Sequence, residues 1–384
     1  MKTFIKTSIK GLIVTLIASP ILMADEPVEE IVVTGKGLYA DQVSALKTPT
    51  DIVDVPQSLS IVTDDQIRKQ GIRELGDIVR YTPGVNTSQG EGHRDAVVFR
   101  GVRSTADFYQ DGARDDVQYY RSLYNVEQVE VLRGPNALLF GRGGTGGIIN
   151  RVTKKATLGE SFGSFDIGAN DNGSFDFAAD YNADSGENTA FRVNVHSDSL
   201  ENHRDFFDGD RVGFNPTVKI QMSDSTTLDL SYEYADHERF IDRGIPTANG
   251  RPVEALKDVV FGTSDLNLTT LEADIFRGII TTDLSDTSKA IFSLTSSEFE
   301  KMYKNLYASG YDLTTNVVTL DGYYDPTERE NLIFSANLVN ELEIGGATHT
   351  LLIGAEIIDT DNKNVRYDTY WSTTQKDKES FNVS

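Results

Sequence analysis

From Leu158 to the end of the chain, apolar and polar residues alternate in long runs separated by short polar breaks. Leu228, Leu230, Tyr232 and Tyr234 share one parity, and Asp229, Ser231, Glu233 and Ala235 the other. Successive side chains of an extended backbone point to opposite sides, so such a segment is a strand with one greasy and one wet face. The same reading holds for Phe175, Phe177, Ala179 and Tyr181 against Ser174, Asp176 and Asp180. It also holds for Leu332, Phe334, Ala336 and Leu338, although Ile333 and Val339 break the second face. Turn signals at Asp171-Asn172-Gly173, Ser223-Asp224-Ser225 and Gly345-Gly346 separate the runs. The pattern predicts about nine or ten strands, each long enough for the roughly 9–11 residues of a tilted membrane strand. Acidic stretches at 205–210, 241–265 and 309–326 predict longer loops at one end of the sheet. Alternation alone fits a soluble sandwich as well as a membrane β-barrel, because it does not say which face meets lipid.

The preceding part reads differently. Over 49–157, short β-branched runs (61–63, 97–99, 129–132, 148–152) alternate with helix-like stretches (64–70, 72–81), with Asp64 and Asp65 as helix caps. This predicts a compact α+β unit. Residues 25–48 form a polar tail with one apolar patch at Ile31, Val32 and Val33. Residues 1–24 combine Lys2, Lys6 and Lys10 with a short apolar run ending at Ala24, the pattern of a secretory leader. No later window approaches 18 uninterrupted apolar residues, so a membrane location requires a barrel.

Charge and composition narrow the chemistry. A formal net charge of -23 disfavours a nucleic-acid ligand, and the absence of cysteine excludes disulfides and thiolate metal sites. The five histidines lack metal-ligand spacing, and Asp205, Asp208 and Asp210 lack the later glutamate of a calcium loop. Gly141, Gly143 and Gly146 satisfy a dinucleotide-type spacing, but the β-branched run 148–152 stands where that fingerprint needs a helix. No nucleophile, paired acid and base, or phosphate loop emerges, so the expectation is a protein that is not an enzyme and holds no cofactor of its own.

Five motifs stand in order: Phe99-Arg100-Gly101, Asp111-Gly112, Val129 to Pro135 (VEVLRGP), Phe140-Gly141-Arg142-Gly143 and Gly146 to Lys154 (GGIINRVTK). Together they resemble the plug of TonB-dependent outer-membrane receptors. Asp54 to Val62 (DVPQSLSIV) and Tyr81-Thr82-Pro83-Gly84-Val85 are similar to the ferric-siderophore branch of that family. The resemblance implies a leader (1–24), a periplasmic tail (25–48), an α+β plug (49–157) and the N-terminal part of a membrane β-barrel (158–384). It also implies 22 barrel strands, so the nine or ten here make the barrel incomplete. The tail segment Glu30, Ile31, Val32, Val33 and Thr34 is similar to the family's TonB box, which an extended β-branched run suits because it can add to the edge of a partner's sheet.

The implied function is binding and import of ferric siderophores across the outer membrane. TonB and its inner-membrane complex are the implied partners and energy source, outer-membrane lipid surrounds the barrel, and the iron is carried by the ligand. Import of cobalamin or another nutrient, and a secreted adhesive β protein, are the alternatives. Gln89, His93, Arg94, Phe108, Tyr109, Tyr119 and Tyr120 are the candidate ligand contacts, and Arg100 and Arg133 are expected to pair with barrel carboxylates. From Glu91 to Leu158 there are ten basic against eight acidic residues, a formal +2 beside -25 for the remainder, which suits an anionic chelate.

Overall fold

The structure is a computed structural model that describes residues 43–48, 52, 55–88, 90–135, 140 and 144–383. The leader, the segment Glu30 to Thr34, and Gln89 lie outside the described residues.

The first body of structure is built on two small sheets. Strands β1 (Ser58–Thr63), β2 (Val85–Thr87), β3 (Val97–Phe99), β4 (Val102–Ser104), β5 (Phe108–Gln110), β6 (Ala113–Arg114), β7 (Val126–Arg133) and β8 (Gly147–Thr153) follow in chain order. Five of them form a sheet in the order β1-β7-β8-β5-β6, and β2, β3 and β4 form a separate three-stranded one. One face of the larger sheet presents Val129, Val131 and Ile149 to the helices Asp64–Lys69 and Leu75–Val79, through Ile67, Leu75 and Ile78. The opposite face presents Leu132 and Ile148 to a second cluster containing Val43, Ala45 and Leu46.

The helix cap differs from the sequence expectation. Thr63 is the N-cap, in a reciprocal capping box with Gln66, while Asp64 and Asp65 occupy the first turn, where Asp64 reaches Arg68 and Lys154. The glycines of the last motif permit close packing. A Cβ on Gly147 would lie 2.5 Å from the Leu132 carbonyl and 2.6 Å from the Phe99 ring.

The second body is one long antiparallel sheet. It comprises β9 (Phe162–Ala169), β10 (Phe175–Asp184), β11 (Thr189–Glu201), β12 (Asp208–Ser223) and β13 (Thr226–Phe240). After the small hairpin of β14 (Thr247–Ala248) and β15 (Arg251–Pro252) come β16 (Leu268–Ser285), β17 (Ser288–Asp312), β18 (Val317–Ile344) and β19 (Ala347–Asn364). Nine strands pair each with its predecessor from β9 to β19, and β20 (Tyr367–Asp368) and β21 (Glu379–Asn382) fold back on β18. Among the described residues β9 and β19 do not pair, so the sheet is an open wall.

Connections at one end of this wall are tight turns, as at Gly345-Gly346, and the 241–267 excursion lies at the other, the long-loop end. The expected loop at 309–326 is largely strand instead. β17 and β18 run for 25 and 28 residues and leave only 313–316 between them. Strands of that length far exceed the roughly 9–11 residues a bilayer requires, so this hairpin projects well beyond the spanning zone.

Register puts the predicted apolar parity on one face throughout. Ile220, Leu228, Ile280, Phe292 and Ala336 are successive partners across β12, β13, β16, β17 and β18. That face is exposed, with Phe165 at 70% and Ile357 at 67% accessibility, while the other face carries Arg192, Arg211, Arg277 and Asn194, all buried. An apolar outside and a polar inside is the arrangement of a membrane barrel and the inverse of a soluble sandwich. Substituting arginine for Phe334 should therefore cost about 2–4 kcal/mol near the bilayer midplane, read from urea unfolding in lipid vesicles, whereas leucine should cost little.

Candidate functional site

The plug lies against the polar face of the wall and is held there by ion pairs. Asp111 of the plug meets Arg277 of β16 at 2.7 Å, and Asp116 meets Arg329 of β18 at 2.6 Å. Glu74 lies 3.3 Å from Arg239 of β13, and Lys154 lies 3.3 Å from Asp180 of β10. Asp111 does more than form a turn. Its carboxylate also accepts from the Thr153 amide and hydroxyl. Burial would raise its pKa, but Arg277 and the Thr153 hydrogen bonds outweigh this and hold it below the usual carboxylate range.

Among the described residues these contacts run mainly from wall arginines to plug carboxylates. Arg133 donates to the Pro83 and Leu59 carbonyls at 2.7 and 3.0 Å, both within the plug, and Arg100 is exposed. Among the described residues neither has a carboxylate partner.

The candidate ligand residues separate into two groups. Phe108 and Tyr109 belong to the plug interior, and Tyr119 is buried in the seam between plug and wall, 6.0 Å from Phe299 of β17, so none of the three forms a surface. Phe108 lies under the Arg121 guanidinium at 4.0 Å. The Tyr109 hydroxyl donates to the Phe140 carbonyl, and that of Tyr119 donates to Asp115. Alternation in the sequence could not separate these rings from surface ones, because the loops that bury them have no periodicity.

His93, Arg94 and Tyr120 instead face the wall toward the long-loop end. The Lys301 ammonium of β17 donates to His93 Nδ1 at 2.8 Å, and the imidazole stacks on Tyr303 at 3.7 Å. Arg94 pairs with Glu91 at 2.7 Å, and Arg243 approaches the same carboxylate at 3.7 Å while lying 3.8 Å from the Tyr307 ring centre. Arg239 covers Tyr120 at 4.3 Å. The His93 imidazole, with Arg94 and Arg243, holds the Glu91 carboxyl down at about 2. Burial pushes His93 down to about 3, with Glu91 opposing, so the ring is neutral at pH 7 and its Nδ1 is an acceptor.

The wall residues Arg243, Lys301, Tyr303, Tyr307 and Tyr323 were not singled out in the sequence. They come from 241–267, β17 and β18, and only strand pairing brings them together. The spacing Tyr303, Tyr307 and Tyr323, with Tyr303 opposite Asp325 in the register, would have been readable once that hairpin was placed. Around the Glu91 carboxylate the cluster gathers Arg94 and Arg243, an excess of positive charge, with Lys301 joined to it through His93 and aromatic rings beside it.

An α+β stopper fastened by ion pairs to the polar face of a sheet whose other face is apolar defines a plugged membrane barrel. Residues 51–148 match the TonB-dependent Receptor Plug Domain family. "Probable TonB-dependent receptor BfrD" of Bordetella pertussis is 30% identical over 266 residues, 66% of this chain and 34% of its own length. "Probable TonB-dependent siderophore receptor PiuA" of Acinetobacter baumannii is 27% identical over 337 residues, 84% of this chain and 45% of its own length. The crystal structure of PiuA superposes with a TM-score of 0.79 at 25% identity, covering 85% of this chain and 48% of that one. The chain belongs to the TonB-dependent receptor family. It spans between about a third and a half of the length of these relatives.

Proposed function

We propose that this chain is the plug-bearing part of an outer-membrane receptor that binds a ferric siderophore at its long-loop end and imports it with energy from TonB. The leader 1–24 directs export, the tail 25–48 lies in the periplasm and offers Glu30 to Thr34 to TonB, and 49–157 closes the lumen of the barrel that 158–384 begins. The role is binding and passage, and the iron is cargo held by its chelator.

The observation that carries this reading is the cationic and aromatic cluster around Glu91. Arg94 and Arg243, with Lys301 behind His93, would bind an anionic chelate, and Tyr307 is the half-buried ring beside them, while Tyr303 and Tyr323 are buried supports of the cluster. Similarity to PiuA, and to the "Catecholate siderophore receptor Fiu" of Escherichia coli at 30% identity over 227 residues, supports the ligand class. His93, Arg94 and Tyr120 remain candidate ligand residues with these wall residues, as does Gln89 on sequence grounds alone.

Lys301→Ala and Arg94→Ala should each weaken ferric-siderophore binding about tenfold or more, the loss of one charge-assisted contact of roughly 1.5–3 kcal/mol. Equilibrium binding to outer membranes tests this, and unchanged affinity in both variants rejects the site. Growth of a gene-deleted strain on individual ferric siderophores, or on cobalamin, separates the two cargo classes.

A further inference from the structure

Glu130 stands where the strand pattern asks for something else. In β7 it alternates with Val129 and Val131, which would turn its carboxylate to solvent. Instead its exposure is 0%, because the chain segment 43–46 lies over that face of the sheet. Val43, Ala45 and Leu46 fill the apolar cluster with Leu132, Phe140 and Ile148. The backbone of the same segment faces Glu130.

The carboxylate has four donors. Oε1 accepts from the Ser44 amide at 2.6 Å and the Gln128 side chain at 2.7 Å. Oε2 accepts from the Ala45 amide at 2.9 Å and Asn150 Nδ2 at 2.9 Å. Among the described residues no cation pairs with it. Burial raises its pKa against those hydrogen bonds, so the charge is held by neutral donors, half of them belonging to one short stretch of backbone. Removing that stretch leaves a buried anion without half its partners.

Two further contacts give the position its meaning. Asn150 also accepts from the Gly112 amide at 3.0 Å, and the neighbouring Asp111 forms the 2.7 Å ion pair with Arg277 of the wall. A continuous set of polar contacts thus runs from 43–46 through Glu130, Asn150 and the Asp111-Gly112 turn to the barrel. Segment 43–46 itself joins no β ladder; a 3-10 turn, apolar side chains and Glu130 hold it. Such an attachment yields to a pull more readily than a strand held by a ladder of backbone bonds.

The geometry points to Glu130 as the coupling residue of the receptor: a carboxylate latch that holds the root of the N-terminal tail on the plug and loses its hold when that tail is drawn away. Undocking 43–46 strips two donors from Glu130 and loads Asn150 and the turn that anchors the plug to Arg277. Glu130 is a positioning residue, acting through 43–46 and Asn150 without touching the ligand. The inference rests on the proposed function only for the origin of the pull.

The chain has no cysteine, so single thiols can report the latch. Val43→Cys places one under the latch, and Ile78→Cys places one in the helix-side core, where the native residue is 0% exposed. Maleimide labelling in native outer membranes should be slow at both positions. Adding Glu130→Gln, which keeps the shape but removes one acceptor oxygen and the charge, should speed labelling at position 43 at least tenfold and leave position 78 within twofold. Equal rates at position 43 with and without Glu130→Gln would overturn the latch. A parallel rise at both positions would also overturn it, by showing general loosening of the plug. Neither labelling result depends on the cargo or on TonB, so failure of the latch and failure of the import reading remain distinguishable.

Discussion

Replacing Arg121 with methionine should destabilise the plug by about 3–5 kcal/mol, the scale set by breaking a buried ion pair on one side. The Arg121 side chain is 0% exposed and lies 2.8 Å from Asp115 and 3.4 Å from Asp95. Its remaining protons go to the carbonyls of Asp115 and Val117, each at 2.8 Å, and of Tyr119 at 3.2 Å. Methionine restores much of the volume and none of the donors. Asp115 keeps Arg151 at 2.8 Å, but Asp95 loses its cation.

The pH dependence has a definite sign. Burial pushes the Asp95 carboxyl up to about 6 although Arg121 opposes it. A folded-state pKa above the unfolded value contributes stability that is full below the unfolded pKa and is lost as pH rises through the folded one. Asp115 runs the other way. Burial raises its pKa but Arg121 and Arg151 outweigh that, so its contribution is present above the unfolded pKa and lost only in acid as pH falls through the lowered one. Between pH 5 and 8 Asp95 is therefore the member of the pair that titrates. Without Arg121 its pKa rises further, and the deficit of the variant should be smaller at pH 5 than at pH 8. Urea midpoints of the detergent-solubilised protein at the two pH values measure both quantities. A small deficit would show that the arginine is dispensable, and a deficit equal at both pH values would show that Asp95 does not titrate against it.

The wall was the most legible part of the molecule, because a two-residue period survives any rearrangement of loops. Leu228, Leu230, Tyr232 and Tyr234 could only share a face, and their register partners Ile280, Gly278, Phe276 and Asp274 follow from pairing β13 with β16. Where strands ended was less legible. The polar residues of 309–326 suggested a loop because a strand that projects beyond lipid no longer needs an apolar face, so its signal disappears although its backbone pairing continues.

The plug was legible as a composition and as a set of motifs, but the roles within it were not. Asp111 read as a turn residue and proved to be the partner of Arg277, a residue 166 positions away. Glu130 stands in the predicted strand 129–132, and only the covering segment 43–46 gives its carboxylate a role. Both roles escape the sequence for the same reason: a buried polar group is specified by what packs over it, and that partner lies outside any local window. The same limit explains why the sequence does not distinguish the buried rings of Phe108 and Tyr109 from surface ones and gives no sign of Lys301 and Tyr303.

Deleting Glu30 to Thr34 should reduce ferric-siderophore uptake to background while leaving binding at the cell surface within about twofold. The segment joins an acidic start to four consecutive β-branched residues, and just nine residues separate Thr34 from Ser44, the first amide held by Glu130. An unpaired β-branched stretch can add to the edge of a partner's sheet, where main-chain hydrogen bonds supply affinity and side chains contribute little. Proline should then be as damaging as deletion. Val32→Pro removes one amide proton and fixes φ, so it breaks the ladder without changing length or charge. Val32→Ala, which retains the backbone donor, should keep most uptake. The proposed ligand site at Arg94 and Lys301 is built from the plug and β17, not from the tail, which is why affinity should survive all three changes. Transport in radiolabelled-iron assays that persists after deletion, or that falls equally with alanine and proline, would mean the force enters the plug somewhere other than through this backbone.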